Sequence, residues 1–383
     1  VAGGGPAGLS AALACAGNGR SVHLVAPRPD IADQRTSALM VSTLAFLERL
    51  GAWPHCAGAG APLKTMRIVD DTRRIVRAGT VEFSADEIGE EAFGWNLPNA
   101  ALTARLDALV AAHQGIVRHD DMVASVSRLV VGADGQRSRV RAAARIAVRQ
   151  WPLDQAAVAV NLSHEREHRF ASTEFHRRAG PFTLVPLPGR NSSLVWVETR
   201  DRAEALFALD DAAFAREAER ASHRILGRLE VAGPRGMFPL GGAVARTFAR
   251  NRIALVGEAA HVMAPIGAQG LNLGLRDVAA LVEAIDTLGG ADPGAPTVLS
   301  NYDRGRRTDV WSRVGGVELL NRSLIAGVAP VQAARALGLS ALRNVGPLRR
   351  AVMREGVRPH LSLPAMMRRG GGGEEASDLP AAD

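Results

Sequence analysis

Three glycine-bearing turns hold the residues of this chain whose types and spacing could do chemistry. Gly3-x-Gly5-x-x-Gly8, with Pro6 and Ala7 inside it, opens an alanine-rich run. That spacing suits a pyrophosphate, because small residues permit a tight turn and the anion can rest on the N–H groups of the following helix. Val130-Val-Gly-Ala-Asp134-Gly135 sets a carboxylate behind an apolar run, with Ser138 and Arg141 at fixed spacing after it. Ile253-Ala-Leu-Val-Gly257-Glu258 repeats the arrangement and continues through Pro265 to Gly270-Leu271-Asn272 and Gly274. Backbone N–H groups at such a helix start can stabilise negative charge on a redox ring. Pro265 stiffens the approach, and Gly270 lets the backbone come close. The first turn lacks one usual partner: where a carboxylate would hold a ribose, the sequence reads Leu24-Val25-Ala26-Pro27.

These turns need strands before them and helices after them. The first leads into a helix to about Gly17 and an apolar strand over 22–25, a β-turn-α-β start. Residues 36–51 have helical apolar spacing and stop at Gly51. Short alternating segments over 65–69 and 80–83 mark the start of a sheet-rich insertion, and Asn99 is placed to cap a helix over 100–112. A strand over 129–131 delivers the second turn, after which strands dominate to Val197, followed by a helical stretch around 203–229. A strand over 253–256 delivers the third turn, and a helix opens at about 271. Residues 297–367 read as helices, and the glycine-rich, acidic tail from Gly370 reads as disordered. The chain opens on Val1-Ala2-Gly3, so the strand expected before Gly3 is all but absent.

In this order and separation, the three turns resemble the flavin-binding motifs of the class A flavoprotein monooxygenases, which have the p-hydroxybenzoate hydroxylase fold. The family's DGxxSxxR pattern is matched at Asp134, Gly135, Ser138 and Arg141, and its Gly-Asp pair stands here as Gly257-Glu258. Arg35-Thr-Ser-Ala-Leu39, Leu50-Gly-Ala-Trp53, Pro98-Asn99, Gly180-Pro181 and Pro186-Leu187-Pro188 are similar to the UbiH/UbiF-type hydroxylases of ubiquinone biosynthesis. The similarity runs to about Arg369. It implies an α/β fold: a doubly wound, Rossmann-like FAD-binding domain, discontinuous over 1–62, 98–150 and 245–300. A sheet-rich substrate domain is inserted over 63–97 and 151–244, and a helical region occupies 301–369.

The resemblance further implies that FAD is held by Gly3, Gly5, Pro6, Ala7, Gly8, Arg35, Arg105, Asp134, Gly135, Arg141, Gly257, Glu258, Pro265, Gly270, Leu271 and Asn272. Arg35 would reach the pyrophosphate or ribose, the alternative being a surface salt bridge, and Arg105 stands under the same pair of readings. Arg276 and Asp277 are expected to be structural, as is His261. No catalytic residue is assigned. No second nucleotide fingerprint occurs, so NAD(P)H is implied as a transient reductant, with O2 then activated as a flavin C4a-hydroperoxide. The expected substrate is a small hydrophobic aromatic, a prenylated phenol or quinol. A same-fold flavin reductase or epoxidase acting on an isoprenoid lipid is the alternative enzyme. A scaffold member of a biosynthetic complex that has lost catalysis is the alternative outside enzymes. Two departures bear on that choice: the missing first strand, and the connection over 113–129, shorter than the family's meander.

Composition narrows the partners. The chain has 383 residues, 47% hydrophobic and 22% charged, the balance of a globular chain with real cores. Its 46 Lys+Arg against 39 Asp+Glu give +7, but Lys64 is the sole lysine, the arginines are scattered and aromatics are 4%, so nucleic acid is not expected. Arg304, Arg306 and Arg307, and Arg349, Arg350, Arg354 and Arg358, read as solvated helix faces, with an anionic membrane surface as the alternative. Cys15 and Cys56 lie at no metal-ligand or redox spacing, so no metal is expected and a reducing cytoplasm fits. No apolar run reaches the ~20 residues that span a bilayer. Any membrane contact, and any contact with other ubiquinone-biosynthesis proteins, is expected to be peripheral, at the inner face.

Overall fold

The computed structural model describes residues 1–27, 33, 35–74, 78–120, 127–267, 269–288, 292–326, 328–358 and 363–368. The expected disordered tail lies outside them. Strands Ile116–His119 and Val22–Val25 pair in parallel, as do Val130–Gly132 and Ile253–Leu255, with Ala249–Arg250 antiparallel at the edge. Ala2 joins the two pairs. Its N–H donates to the Val131 carbonyl at 2.8 Å, its carbonyl accepts from Ala133 N, and it bridges in parallel to Val25 and Gly132. Val1 extends this pairing by accepting from Val25 N at 2.8 Å, so Val1 and Ala2 lie between the two pairs just before the first turn.

Parallel strands must be covered on both faces. Leu24 and Leu255 are fully buried, and helix Pro6–Gly17 packs against helices Asn99–Ala112 and Gln269–Leu288. Pro6–Gly17 is buried from Gly8 to Ala16, nearly all round, which explains its run of alanines in place of an amphipathic stripe.

The insertions build one nine-stranded sheet. Its path runs His261–Val262, Gly236–Ala245, Val148–His164, Asn191–Thr199, Pro181–Leu187, Ala171–His176, Thr65–Asp70, Val81–Ser84, with Leu229–Val231 paired to Val148–His164. Segments on both sides of the flavin-type elements therefore share one sheet. Val158, Leu162, Phe182, Leu194 and Trp196 pack from it onto Ala203, Leu206, Phe214 and Ala218 of helices Arg200–Phe207 and Asp211–Ala221. A three-stranded sheet, Thr36–Met40, Gly94–Pro98 and Ala61–Pro62, stands at the junction. Helices Pro296–Ile325, Ala329–Asn344 and Gly346–Val357 follow, and Leu339, Met353 and Val357 close over Val81, Phe83 and Phe93.

Two local expectations are corrected. Residues 36–51 are not one helix: Thr36–Met40 is a strand and Val41–Arg49 the helix. The strand's last three residues are buried without alternation, which gives an apolar run that reads as helix. Asn99 does not cap its helix. It is the first helical residue, its Nδ2 donates to Asp33 at 3.2 Å, and its Oδ1 accepts from the Ser37 hydroxyl.

Candidate functional site

The three turns meet, and small residues make the meeting possible. A Cβ on Gly8 would lie 2.0 Å from the Gly3 carbonyl oxygen, and one on Gly3, whose φ is +124°, would lie 2.2 Å from that of Ala133. The first turn is therefore closed tightly onto the second. Gly257, at φ +61°, abuts Ala7 Cβ, and a Cβ on Gly274 would come within 3.0 Å of Gly257 Cα. The third turn is thereby wedged between the starts of two helices, Pro6–Gly17 and Gln269–Leu288.

Both helix starts are open to an anion. Gly5 caps the first without a side-chain hydrogen bond, Pro6 takes the position where an N–H is dispensable, and neither first turn holds an acid. Gly5 and Gly270 have nothing within 4 Å of where a Cβ would stand. Neither has a φ that demands glycine, so nothing in the chain itself requires the small residue there. A cradle that a side chain would fill fits close approach of a ligand such as FAD. Leu271 is half-buried and Pro265 is exposed.

The acidic residues of the second and third turns differ. Asp134 accepts from the Ser138 hydroxyl, from Arg139 N at 2.6 Å and from Val140 N at 3.1 Å, so its carboxylate caps the short helix Arg139–Ala143. Arg141 is buried and donates to the carbonyls of Ala259 at 2.7 Å and Gln136 at 2.8 Å, tying the second turn to the third. Gly135 adopts φ +77° in that loop. Glu258 is exposed, and among the described residues its carboxylate accepts no hydrogen bond; its charge is felt at Arg35.

Arg35 lies on this open side. Its guanidinium pairs with Asp33 at 2.8 Å and sits 5.2 Å over the Phe238 ring, a residue of the nine-stranded sheet. The salt bridge given as its alternative is thus present, yet half the side chain stays exposed. Arg105 donates to the Gly51 carbonyl at 3.1 Å and anchors the end of helix Val41–Arg49. Asn272 is buried: Oδ1 accepts from Met40 N and the Thr43 hydroxyl, and Nδ2 donates to the Ala38 carbonyl at 2.7 Å. Its side chain joins the strand-to-helix break at Met40 to the second helix start.

Behind the third turn lies a buried charge cluster. Asp277 accepts from Gly257 N at 2.9 Å, from His261 Nε2 at 2.7 Å and from Arg306 Nε at 2.8 Å. Burial alone would raise its pKa, but the charges and hydrogen bonds of His261 and Arg306 hold it below the usual carboxylate range. Asp309 accepts from Arg306, Arg276 and Arg313, and burial draws Arg276 down to about 10. The structural roles expected for Arg276, Asp277 and His261 agree with this placement. The expected solvated face does not hold for Arg306, which is 2% exposed; only its neighbours Arg304 and Arg307 face solvent. The spacing Tyr302, Arg306, Asp309, one face of a helix, was the available signal. Tyr302 is fully buried and donates to the Leu255 carbonyl at 2.6 Å; its pKa is pushed well up, chiefly by burial. Among the described residues no group of His, Cys, Asp and Glu could hold a metal ion.

Comparison with known proteins gives these turns a context. A family model described as FAD binding domain matches residues 110–315, more than half of the chain. Ubiquinone hydroxylase UbiL of Rhodospirillum rubrum is 36% identical over 376 residues, covering 92% of this chain and 88% of its own. The 3-demethoxyubiquinol 3-hydroxylase of Escherichia coli is 29% identical, covering 92% and 96%. Among solved structures, p-nitrophenol 4-monooxygenase PnpA of Pseudomonas putida superposes with a TM-score of 0.72 at 18% identity, covering 92% of this chain and 95% of that one. HpxO of Klebsiella pneumoniae, solved with FAD and uric acid, gives 0.68 at 16% identity, covering 93% and 95%.

Proposed function

Because the chain belongs to the FAD-binding-domain family, among the class A flavoprotein monooxygenases, we propose that it hydroxylates the aromatic ring of a polyprenylated ubiquinone precursor, using bound FAD with NAD(P)H and O2. The observation that carries this reading is the open face of Gly5, Glu258 and Gly270, where the chain presents two helix starts and a carboxylate that accepts no hydrogen bond among the described residues. The relatives named as ubiquinone hydroxylases supply the substrate class.

When bound, the flavin supplies the redox chemistry by which oxygen is activated. The chain's part is binding and orientation. The N–H groups at the start of Pro6–Gly17 would hold the pyrophosphate, Glu258 would accept from ribityl hydroxyls, and Arg35 would meet phosphate or ribose. The N–H groups of Gly270 and Leu271 would stabilise negative charge on the ring edge. In this reading 1–62, 98–150 and 245–300 hold FAD, while 63–97 and 151–244 cover the substrate.

Membrane contact in this proposal is peripheral. Among the described residues no single helix is long and apolar enough to cross a bilayer. Among the described residues, eight of the twelve exposed large hydrophobic side chains fall between Leu319 and Val352, beside exposed Arg343 and Arg354, which suits an anionic lipid surface at the inner face of the membrane. Flotation with phosphatidylglycerol vesicles that survives Leu319→Asp plus Leu337→Asp would count against this surface.

The decisive experiment compares Gly270→Pro with Gly270→Ala. Both should fold, since the site is open and proline is tolerated in a first helical turn. Proline alone removes a donor, which in a preorganised site is worth on the order of 3 kcal/mol. The wild-type protein should be yellow and bleach with NAD(P)H, and Gly270→Pro should shift turnover from hydroxylated product toward hydrogen peroxide. An unchanged product ratio in folded Gly270→Pro rules out this placement of the ring.

A further inference from the structure

We propose that Arg306 is a positioning residue for the cofactor turn: acting through Asp277, it fixes Gly257 and so aims the Glu258 carboxylate. The proposal rests on the reading that this turn faces FAD. Arg306 belongs to none of the three glycine turns; it lies in the long helix Pro296–Ile325, which packs against Gln269–Leu288.

The chain of contacts is short and fully buried. Arg306 Nε donates to Asp277 Oδ1 at 2.8 Å, and Asp277 Oδ2 accepts the Gly257 N–H at 2.9 Å and the His261 ring N–H at 2.7 Å. The same guanidinium donates from Nη1 to Asp309 Oδ2 at 2.6 Å. Its fork therefore holds two carboxylates at once, which a single ammonium cannot reproduce. Gly257 and His261 bracket Glu258, so one carboxylate oxygen grips both ends of the segment that carries the exposed acid. Tyr302, one turn earlier on the same helix, holds the Leu255 carbonyl just before it.

A bare staple between two helices would not need this construction. Replacing buried ion pairs by apolar contacts of similar volume is often neutral or stabilising, so a cluster of three guanidiniums and two carboxylates is a poor device for stability alone. What apolar packing cannot supply is an acceptor for the Gly257 amide. Gly257 sits at φ +61°, and an acceptor whose charge is held in place by arginine fixes that amide's direction. Asp277 stays ionised because Arg306 and His261 hold it so, against its burial.

The test separates position from stability. Arg306→Lys and Asp277→Asn are compared with Arg313→Lys, whose guanidinium touches Asp309 and Glu355 but not Asp277. Three quantities are read: apoprotein melting temperature, amide hydrogen exchange at Gly257 and Ala260 in the apoprotein, and the FAD dissociation constant by flavin fluorescence. The expected result for Arg306→Lys is faster exchange at Gly257 and FAD binding weaker by roughly tenfold in the folded protein, with Arg313→Lys changing neither. Should Arg306→Lys fail to fold, Asp277→Asn keeps the side chain's size and reads the same link. Lower stability with Gly257 exchange and FAD affinity unchanged in the folded fraction overturns the proposal, leaving a staple. Equal weakening of FAD by Arg313→Lys overturns it too, since the effect would then be general charge. Faster Gly257 exchange with unchanged FAD affinity breaks the second link and shows that the reading of the turn as the cofactor's seat is what failed.

Discussion

The Asp134 turn and the Glu258 turn look alike in sequence, each a carboxylate beside a glycine after an apolar strand, and in the structure they behave oppositely. The first is closed on itself: Gly8 packs on Gly3, Gly3 on Ala133, and Asp134 gives its oxygens to Ser138, Arg139 and Val140. The second is gripped from behind by Asp277 and leaves its acid in solvent. Spacing alone does not say whether a carboxylate serves the fold or a ligand; the count of acceptors already occupied does. Substitutions on the closed side should therefore damage the fold first, and those on the open side should weaken cofactor binding while the fold stays intact.

The largest effect belongs to Gly8→Asp. Its Cβ would stand 2.0 Å from the Gly3 carbonyl oxygen, and its charge would enter the helix start proposed to hold the pyrophosphate. We expect no FAD to survive purification, together with loss of cooperative unfolding. Gly5→Ala is the paired control, because nothing lies within 4 Å of its Cβ. It should keep apoprotein stability within about 1 kcal/mol and still weaken FAD. A Gly8→Asp protein that folds and carries stoichiometric FAD would remove this turn from the cofactor site.

Next in size is Asp134→Ala. The change strips a hydroxyl and two backbone N–H groups of their acceptor and removes a helix cap, worth about 2 kcal/mol together. Denaturant unfolding of the apoprotein should report that loss, with FAD affinity in the folded fraction little changed. A stable Asp134→Ala protein whose reduction by NAD(P)H is slowed would mean that the carboxylate serves the cofactor after all, and the contrast between the two turns would collapse.

Much of this site was legible before any coordinates. Glycine spacing after apolar runs located all three turns, since close backbone packing and strand-to-helix turns leave a mark on single residues. Arg306 was not legible, because an arginine's burial is decided by its partners, and Asp277 comes from another helix 29 positions away. The break between Met40 and Val41 was hidden for a different reason: a buried strand running into a buried helix face gives one unbroken apolar signal. Asn99 has the residue type of a helix cap, but Asp33 and Ser37, brought in by the fold, engage its amide.

The smallest expected effect is the sharpest test of the comparison, and it falls on Glu258. Glu258→Gln keeps the size and one acceptor oxygen but removes the charge. The side chain makes no hydrogen bond to any described residue, so apoprotein stability should be unchanged within about 0.5 kcal/mol. A charge-assisted hydrogen bond to a ligand hydroxyl is worth about 1.5 kcal/mol, so the FAD dissociation constant should rise roughly tenfold. Glu258→Asp restores the residue of the family's Gly-Asp pair while shortening the reach by one methylene. If that carboxylate meets the cofactor, Glu258→Asp should bind FAD better than Glu258→Gln, and fluorescence titration of the two apoproteins distinguishes them. Equal weakening in both variants would mean that the contact needs both the charge and the full reach. No weakening in either would leave the third turn as closed to the cofactor as the second.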